Sequence, residues 1–366
     1  LYQGRIEILS AFRFEFFEIF WTFQRYKPAS FALYFRSKIS GGKFMFTRRE
    51  IVKGAVIAGA AGLAWRPDVS IASASQPSTP VNFGVPEGAC DCHVHTFDPQ
   101  HFPYSPTRPY TPEPVSVGEL QSLHKALHMG RVIVVQTTVY GTDNTGALDA
   151  MKKLGPRARG VAVIDEKTPD SALDEMDRAG IRGIRLNLET AGETDPAAGR
   201  KRFQAAVERI KNRKWHIQIY ARLSVIEGIK DLVAAAPMPV VFDHFGGTQA
   251  APGVEQPNLS SLLGLLKSGK AYVKISAPYR SSSLAPDYPD VAAIAKAMIA
   301  ANPQRILWGS DWPHPGIPVP GRSNSEITPF FKIDDGQVLN LLPKWVPDAA
   351  VRKTILVDNP AKLYGF

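Results

Sequence analysis

Between residues 90 and 309, eight short runs of apolar and β-branched residues recur at nearly even spacing. They are 90–97, 131–139, 160–165, 183–188, 216–220, 240–244, 271–276 and 305–309. Continuous apolar runs of this length suit strands buried on both faces. The segments between them, such as 117–128, 144–154, 171–179, 198–212 and 290–301, place apolar residues three and four apart, as amphipathic helices do. Several stop at a glycine: Gly130, Gly155 and Gly180. Strand–helix alternation demands a parallel sheet. Eight such units in about 280 residues match one (β/α)8 TIM barrel. The rival, a doubly wound open sheet, would begin with Gly-x-Gly-x-x-Gly after its first strand, and none is present. The expected fold is therefore α/β, a single TIM barrel over residues 87–366.

In such a barrel, polar residues at the C-terminal ends of strands form the site. The first run carries Asp91-Cys92-His93-Val94-His95, and alternation sends His93 and His95 to one face. The second run ends at Thr137 and Thr138, the fourth holds Arg185 and Asn187, and the fifth ends at Tyr220. The sixth ends at Asp243 and His244, the seventh at Ser276 with Arg280 beyond, and the eighth leads to Asp311 and His314. A polar group at the same end of so many strands is hard to explain as packing, although each alone would pass for a satisfied buried residue. Two long loops, 98–114 and 313–325, should lie over this face, and Tyr110 could reach in from the first. Cys90 and Cys92 stand two apart on one run, a poor geometry for a disulfide. They are expected to face the helix layer as packed apolar groups.

The His-x-His pair, Asp243-His244 and Gly309-Ser310-Asp311-Trp312-Pro313-His314 resemble the amidohydrolase superfamily. Within it the chain is similar to the branch holding 2-pyrone-4,6-dicarboxylate lactonase and D-galactarolactone isomerase. The likeness runs from about Pro86 to Phe366 and includes Phe102-Pro103-Tyr104-Ser105-Pro106, Gly141-Thr142-Asp143-Asn144, Gly183-Ile184-Arg185 and Asn359-Pro360-Ala361-Lys362-Leu363-Tyr364. It implies an enzyme acting on a small carboxylate-bearing lactone. Asp311 would be the general base activating water. His93, His95, His244 and Tyr220 would stabilise the carbonyl oxygen. Arg185 and Arg280 would hold the substrate carboxylate, with Tyr110, Thr138 and His314 as further substrate contacts. The branch's pyrone-dicarboxylate enzymes carry a second arginine shortly after the one matching Arg185. Here Leu186-Asn187-Leu188-Glu189-Thr190-Ala191 has none. Losing a guanidinium and gaining Glu189 favours one carboxylate and several hydroxyls over a flat dicarboxylate. If a substrate hydroxyl attacks in place of water, hydrolysis becomes lactone isomerisation.

Metal-dependent relatives usually add a histidine on the fifth strand. Here that strand begins with His216, expected near the barrel floor, and ends with Tyr220, a poor zinc ligand. No cofactor is the favoured expectation. The alternative is one divalent ion such as zinc on His93, His95 and Asp311, in a sugar lactonase or decarboxylase. A third reading, from another class, is an exported sugar-acid binding protein without catalysis.

The net charge of +9 does not describe the barrel. Of 43 basic and 34 acidic residues, eleven and four fall within residues 1–66, which leaves 32 against 30. That balance argues against nucleic acid as a partner. Thr47-Arg48-Arg49-Glu50-Ile51-Val52-Lys53 resembles a twin-arginine export motif, with an apolar run at 54–65 and Ala72-Ser73-Ala74 as a cleavage pattern. The run is too short to be a stable membrane anchor, since spanning needs about 20 residues. The expected divisions are a non-native upstream extension at 1–44, a signal peptide at 45–74, a linker at 75–86 and the barrel. Export to the periplasm is expected, with a cytoplasmic enzyme as the alternative.

Overall fold

The computed structural model describes residues 74–190, 192–318 and 321–366. Within 1–73 it describes four strands, Gln3–Glu7, Phe17–Thr22, Tyr34–Ser37 and Lys43–Met45, which form an antiparallel meander. The twin-arginine motif, the apolar run at 54–65 and the start of the cleavage pattern lie outside the described residues.

Eight parallel strands make the barrel: β1 Cys90–Val94, β2 Arg131–Val135, β3 Ala158–Ala162, β4 Ile181–Asn187, β5 His216–Tyr220, β6 Val240–Phe242, β7 Ala271–Ser276 and β8 Ile306–Gly309. Each pairs with its neighbour in sequence from β1 to β8. The seam between β8 and β1 closes just past the strands, where Asp311 N donates to His93 O at 2.9 Å and His95 N donates to Trp312 O at 2.8 Å. The helices that follow β1 to β7 are α1 Val117–Leu127, α2 Thr145–Leu154, α3 Asp170–Ala179, α4 Pro196–Ile210, α5 Leu223–Ala235, α6 Leu259–Lys267 and α7 Val291–Ala301. Local chemistry sets their ends. Ser116 and Glu119 form a reciprocal capping box at the start of α1, and Gly180 closes α3 in the left-handed region.

The main core lies between helices and barrel, while a second cluster fills the barrel itself. That cluster joins Cys90, Cys92, Ile133, Val135, Val161, Val241, Tyr272 and Leu307 with Tyr364 from the C-terminal helix Asn359–Tyr364. Register fixes its location, because laterally paired residues of parallel strands share a face. Val241 pairs with Gln218 and Tyr272, and Leu307 pairs with Lys274. The expectation that the cysteines face the helix layer is therefore corrected. The pairing of β1 with β2 shifts between Asp91 and Val94, a bulge that lets Cys92 and His93 both serve the interior. Both cysteines are free and buried.

The two long loops are tied over the barrel mouth. Thr111–Pro112 pairs with Ile327–Thr328, and Thr111 Oγ1 donates to Asn324 O at 2.6 Å.

Candidate active site

The seam strands carry the centre of the site. Gly309 has no side chain because there is no room for one: a Cβ there would lie 2.8 Å from His93 Cβ. Asp91, wholly buried, accepts from Ser310 N at 2.9 Å, Ser310 Oγ at 2.6 Å and His93 N at 3.2 Å. One carboxylate thus sets the backbone of both His93 and Ser310, the residue before Asp311. Past the strand ends, the backbone enters the left-handed region at His244 (φ 48°), Ala277 (φ 51°) and Asp311 (φ 65°). Non-glycine residues adopt this region at a cost and concentrate at functional sites.

Asp311 divides its two oxygens. Oδ2 accepts from Tyr279 OH at 2.6 Å and from Arg280 Nε at 2.8 Å. Oδ1 has no hydrogen-bond partner among the described residues. Around Oδ1 stand His95 Nε2 at 3.3 Å, His93 Nε2 at 3.5 Å and His244 Nε2 at 3.8 Å. Burial pushes the Asp311 carboxyl up, but Arg280 foremost, then His244, His95 and His93, outweigh it and hold it well below the usual range. These neighbours favour its charged form. Burial brings His244 down to about 3 against the pull of Asp311, so that ring is neutral. Burial, then the Lys274 ammonium, likewise hold His93 well below its ordinary value.

Beneath these rings lies a polar layer built from Arg185 on β4, Gln218 on β5, Asp243 after β6 and Lys274 on β7. Asp243 Oδ2 accepts from Gln218 Nε2 at 3.0 Å and Arg185 Nε at 3.2 Å. Lys274 donates to Gln218 Oε1 at 2.7 Å and sits 3.3 Å from Asp243 Oδ1. Burial raises the Asp243 carboxyl, yet Lys274, His93 and Arg185 together hold it well below the usual range.

His95, Tyr110, Thr138, Arg185, Tyr220, His244, Arg280 and Asp311, all proposed from sequence, line one pocket, with Thr137, Asn187, Thr190 and residues 315–318 completing its wall. His93 is fully buried just beneath it. His314 is the exception. It is fully buried, its Nε2 lies 2.9 Å from Asp335 Oδ2, and it braces the loop after β8 without lining the pocket. Its left-handed backbone, φ 66°, turns the ring away from Asp311 three residues earlier. Glu189 is also outside the pocket wall, held by Arg222 Nε at 3.0 Å. The next polar residue after Arg185 on β4, also on that wall, is the uncharged Asn187. His216 lies at the barrel floor, its ring 5.3 Å from that of Tyr364.

Lys274, Gln218, Tyr279 and the pinning role of Asp91 were not proposed from sequence. For Lys274 a signal existed: a lysine in the middle of Ala-Tyr-Val-Lys-Ile-Ser, two residues before Ser276, shares the interior face with it.

The donor set also fits a divalent ion. One ligand atom each from His93, His95 and Asp311 lies within 4.8 Å of the others. His95 Nδ1 is 2.8 Å from Val135 O, which can only accept, so the proton sits on Nδ1 and the Nε2 lone pair faces Asp311. Two acceptors then stand 3.3 Å apart, a pairing that a divalent ion bound to both would relieve.

The amidohydrolase family model matches residues 90–366. A 4-sulfomuconolactone hydrolase from Rhizobium radiobacter is 34% identical over 289 residues, covering 79% of this chain and 93% of that protein. A 2-pyrone-4,6-dicarboxylate hydrolase from Comamonas testosteroni is 33% identical, covering 79% and 94%. A D-galactarolactone isomerase from Agrobacterium fabrum is 28% identical, covering 78% and 94%. With the family model spanning the whole barrel and these relatives matched over nearly their full length, the chain belongs to the amidohydrolase family, in the branch of lactone hydrolases and isomerases.

Proposed function

We propose that this enzyme opens a carboxylate-bearing lactone, with Asp311 as general base and no metal required. The observation that carries the reading is the division of Asp311: one oxygen is clamped by Tyr279 and Arg280, and the other, amid three imidazoles, has no hydrogen-bond partner among the described residues. Asp311 Oδ1 takes a proton from water as the water oxygen bonds to the lactone carbonyl carbon. Negative charge moves to the carbonyl oxygen, where buried donors near the pocket floor stabilise it. The tetrahedral intermediate collapses by breaking the ring C–O bond. The departing oxygen takes the proton back from Asp311, leaving a hydroxy acid. Tyr220 and Tyr110, both kept protonated by burial, can donate to substrate oxygens. Arg185 and Arg280 supply positive charge on the wall for the carboxylate. With Asn187 and Thr190 also on it, the wall suits a substrate with hydroxyls beside a single carboxylate. A substrate hydroxyl attacking through the same intermediate would give the isomerised lactone.

The convergence of His95 Nε2 and Asp311 Oδ1 favours one second reading, in which His93, His95 and Asp311 hold a divalent ion that polarises the carbonyl as a Lewis acid. Proton release by the purified enzyme on acidic and neutral lactones, with and without chelator, separates the two. Chelator-resistant turnover of an acidic lactone, abolished by Asp311→Asn, is the expected result. Loss of turnover on chelation, restored by zinc, would establish the second reading. Ligand binding without turnover, unaffected by Asp311→Asn, would mean a binding protein instead.

For location, we propose export by the twin-arginine route. The support is the Arg48-Arg49 motif and its following apolar run. Periplasmic fractionation of the tagged chain, lost on replacing both arginines with lysine, tests this.

A further inference from the structure

Lys274 is fully buried inside the barrel, where an ammonium is costly unless it is paired and hydrogen-bonded. It has three N–H donors, and three acceptor positions surround it: Gln218 Oε1 at 2.7 Å, Asp243 Oδ1 at 3.3 Å and His93 Nδ1 at 3.3 Å. His93 Nδ1 therefore has two rival neighbours, because Asp243 Oδ1 lies 3.2 Å away and can only accept. We propose that Lys274 is a positioning residue that fixes the tautomer of His93. Its ammonium donates to Nδ1, so Nε2 carries the proton and presents it as a donor below the substrate carbonyl.

Counting donors against acceptors decides between the tautomers. With the proton on Nδ1, an imidazole N–H faces a lysine N–H, and the Nε2 lone pair faces the Asp311 carboxylate at 3.5 Å. With the proton on Nε2, the ammonium donates to Gln218 Oε1 and to His93 Nδ1, keeps Asp243 Oδ1 as an ionic contact at 3.3 Å, and the imidazole N–H faces the Asp311 carboxylate. The geometry agrees: Lys274 and His93 Nδ1 are aligned for a hydrogen bond, whereas Asp243 Oδ1 has no hydrogen-bond partner among the described residues despite its nearness to the ring. Asp243 keeps its other oxygen for Arg185 and Gln218, which anchors the layer without claiming the imidazole proton. His93 Nε2, buried and unpartnered among the described residues, is then a donor held ready for an oxygen that arrives with the substrate. A ring in this tautomer offers no lone pair to a metal ion. The inference thus rests on the metal-free reading of His93 as a carbonyl donor.

The test is the tautomer itself, read by long-range 1H–15N correlation on histidine-labelled full-length protein, with the His93 signals identified by their loss in His93→Asn. The expected wild-type pattern is protonated Nε2 and bare Nδ1; the reverse pattern overturns the proposal without any variant having to fold. In Lys274→Met the proton should move to Nδ1, facing Asp243, and kcat should fall about tenfold to a hundredfold with KM changed less than about threefold. Lys274→Arg should keep the wild-type tautomer and recover part of kcat. An unchanged tautomer in Lys274→Met would also overturn the proposal, whatever the activity. If the tautomer behaves as expected while Asp311→Asn retains turnover, the functional reading fails and the role of Lys274 stands.

Discussion

Asp91 and Ser310 face each other across the barrel seam, and one buried carboxylate binds both the amide and the hydroxyl of that serine while also holding His93 N. The strands that carry His93 and Asp311 are thereby locked in register by a group outside the pocket wall. Hydrogen bonds to charged groups contribute more than neutral ones, and their loss leaves buried donors unpaired. Asp91→Ala should destabilise the fold by about 3 kcal/mol in urea titration. It should also cut kcat at least tenfold in the protein that remains folded. Loss of stability without loss of kcat would show that the seam tolerates slippage at the site.

Tyr279 donates to the clamped oxygen of Asp311 but forms no part of the pocket wall. It holds the carboxylate rotated so that Oδ1 faces the imidazoles, with Arg280 as the second hold. Tyr279→Phe removes one of the two and leaves substrate contacts intact. The expected outcome is a fall in kcat of about tenfold, within the range that misplacement of a reacting group produces, and a KM within about twofold of wild type. A large rise in KM would mean that Tyr279 reaches the substrate after all.

Arg185 has its Nε on Asp243 and its guanidinium 5.8 Å from the centre of the Tyr220 ring, on the pocket wall. The planar fork suits carboxylate in a way an ammonium does not. Arg185→Lys keeps the positive charge near Asp243 and loses the fork. KM for an acidic lactone should rise by roughly 10- to 100-fold, the equivalent of one or two charge-assisted hydrogen bonds. KM for a neutral lactone should stay close to wild type. Equal losses on both substrates would confine Arg185 to supporting Asp243.

The barrel was legible because continuous apolar strands at even spacing leave few alternatives, and β5 and β7 match their expected bounds residue for residue. Most of the pocket was legible as well, because strand ends in this fold converge on one face. What was misread has local causes. Strict alternation cannot foresee the bulge in β1, which moved Cys92 indoors beside His93. His314 stands near Asp311 in sequence, but the left-handed turns at both residues send its ring to Asp335. Glu189 follows Arg185 closely and yet pairs with Arg222, beyond the wall. Lys274 was passed over as part of an apolar strand, though the period-two rule applied to Ser276 would have turned it inward.

His216 gives the molecule an acid-labile point away from the substrate. Neither ring nitrogen has a hydrogen-bond partner among the described residues, and burial brings the ring down to about 3. In the unfolded chain a histidine titrates near its ordinary value of about 6.5. Above that both states are neutral and the full stability is present. Below it the unfolded chain takes up a proton that the folded ring refuses, so stability falls as pH drops from about 6.5 towards 3. The loss is about 1.4 kcal/mol per pH unit for this ring. His244, also brought down to about 3, adds a parallel loss. Urea titrations between pH 7 and 5 on wild type and His216→Gln should show the wild type losing about 2 kcal/mol more than the variant over that range, most of it below pH 6.5. Parallel slopes would mean that the ring is protonated in the folded barrel, with a partner such as a buried water taking the charge.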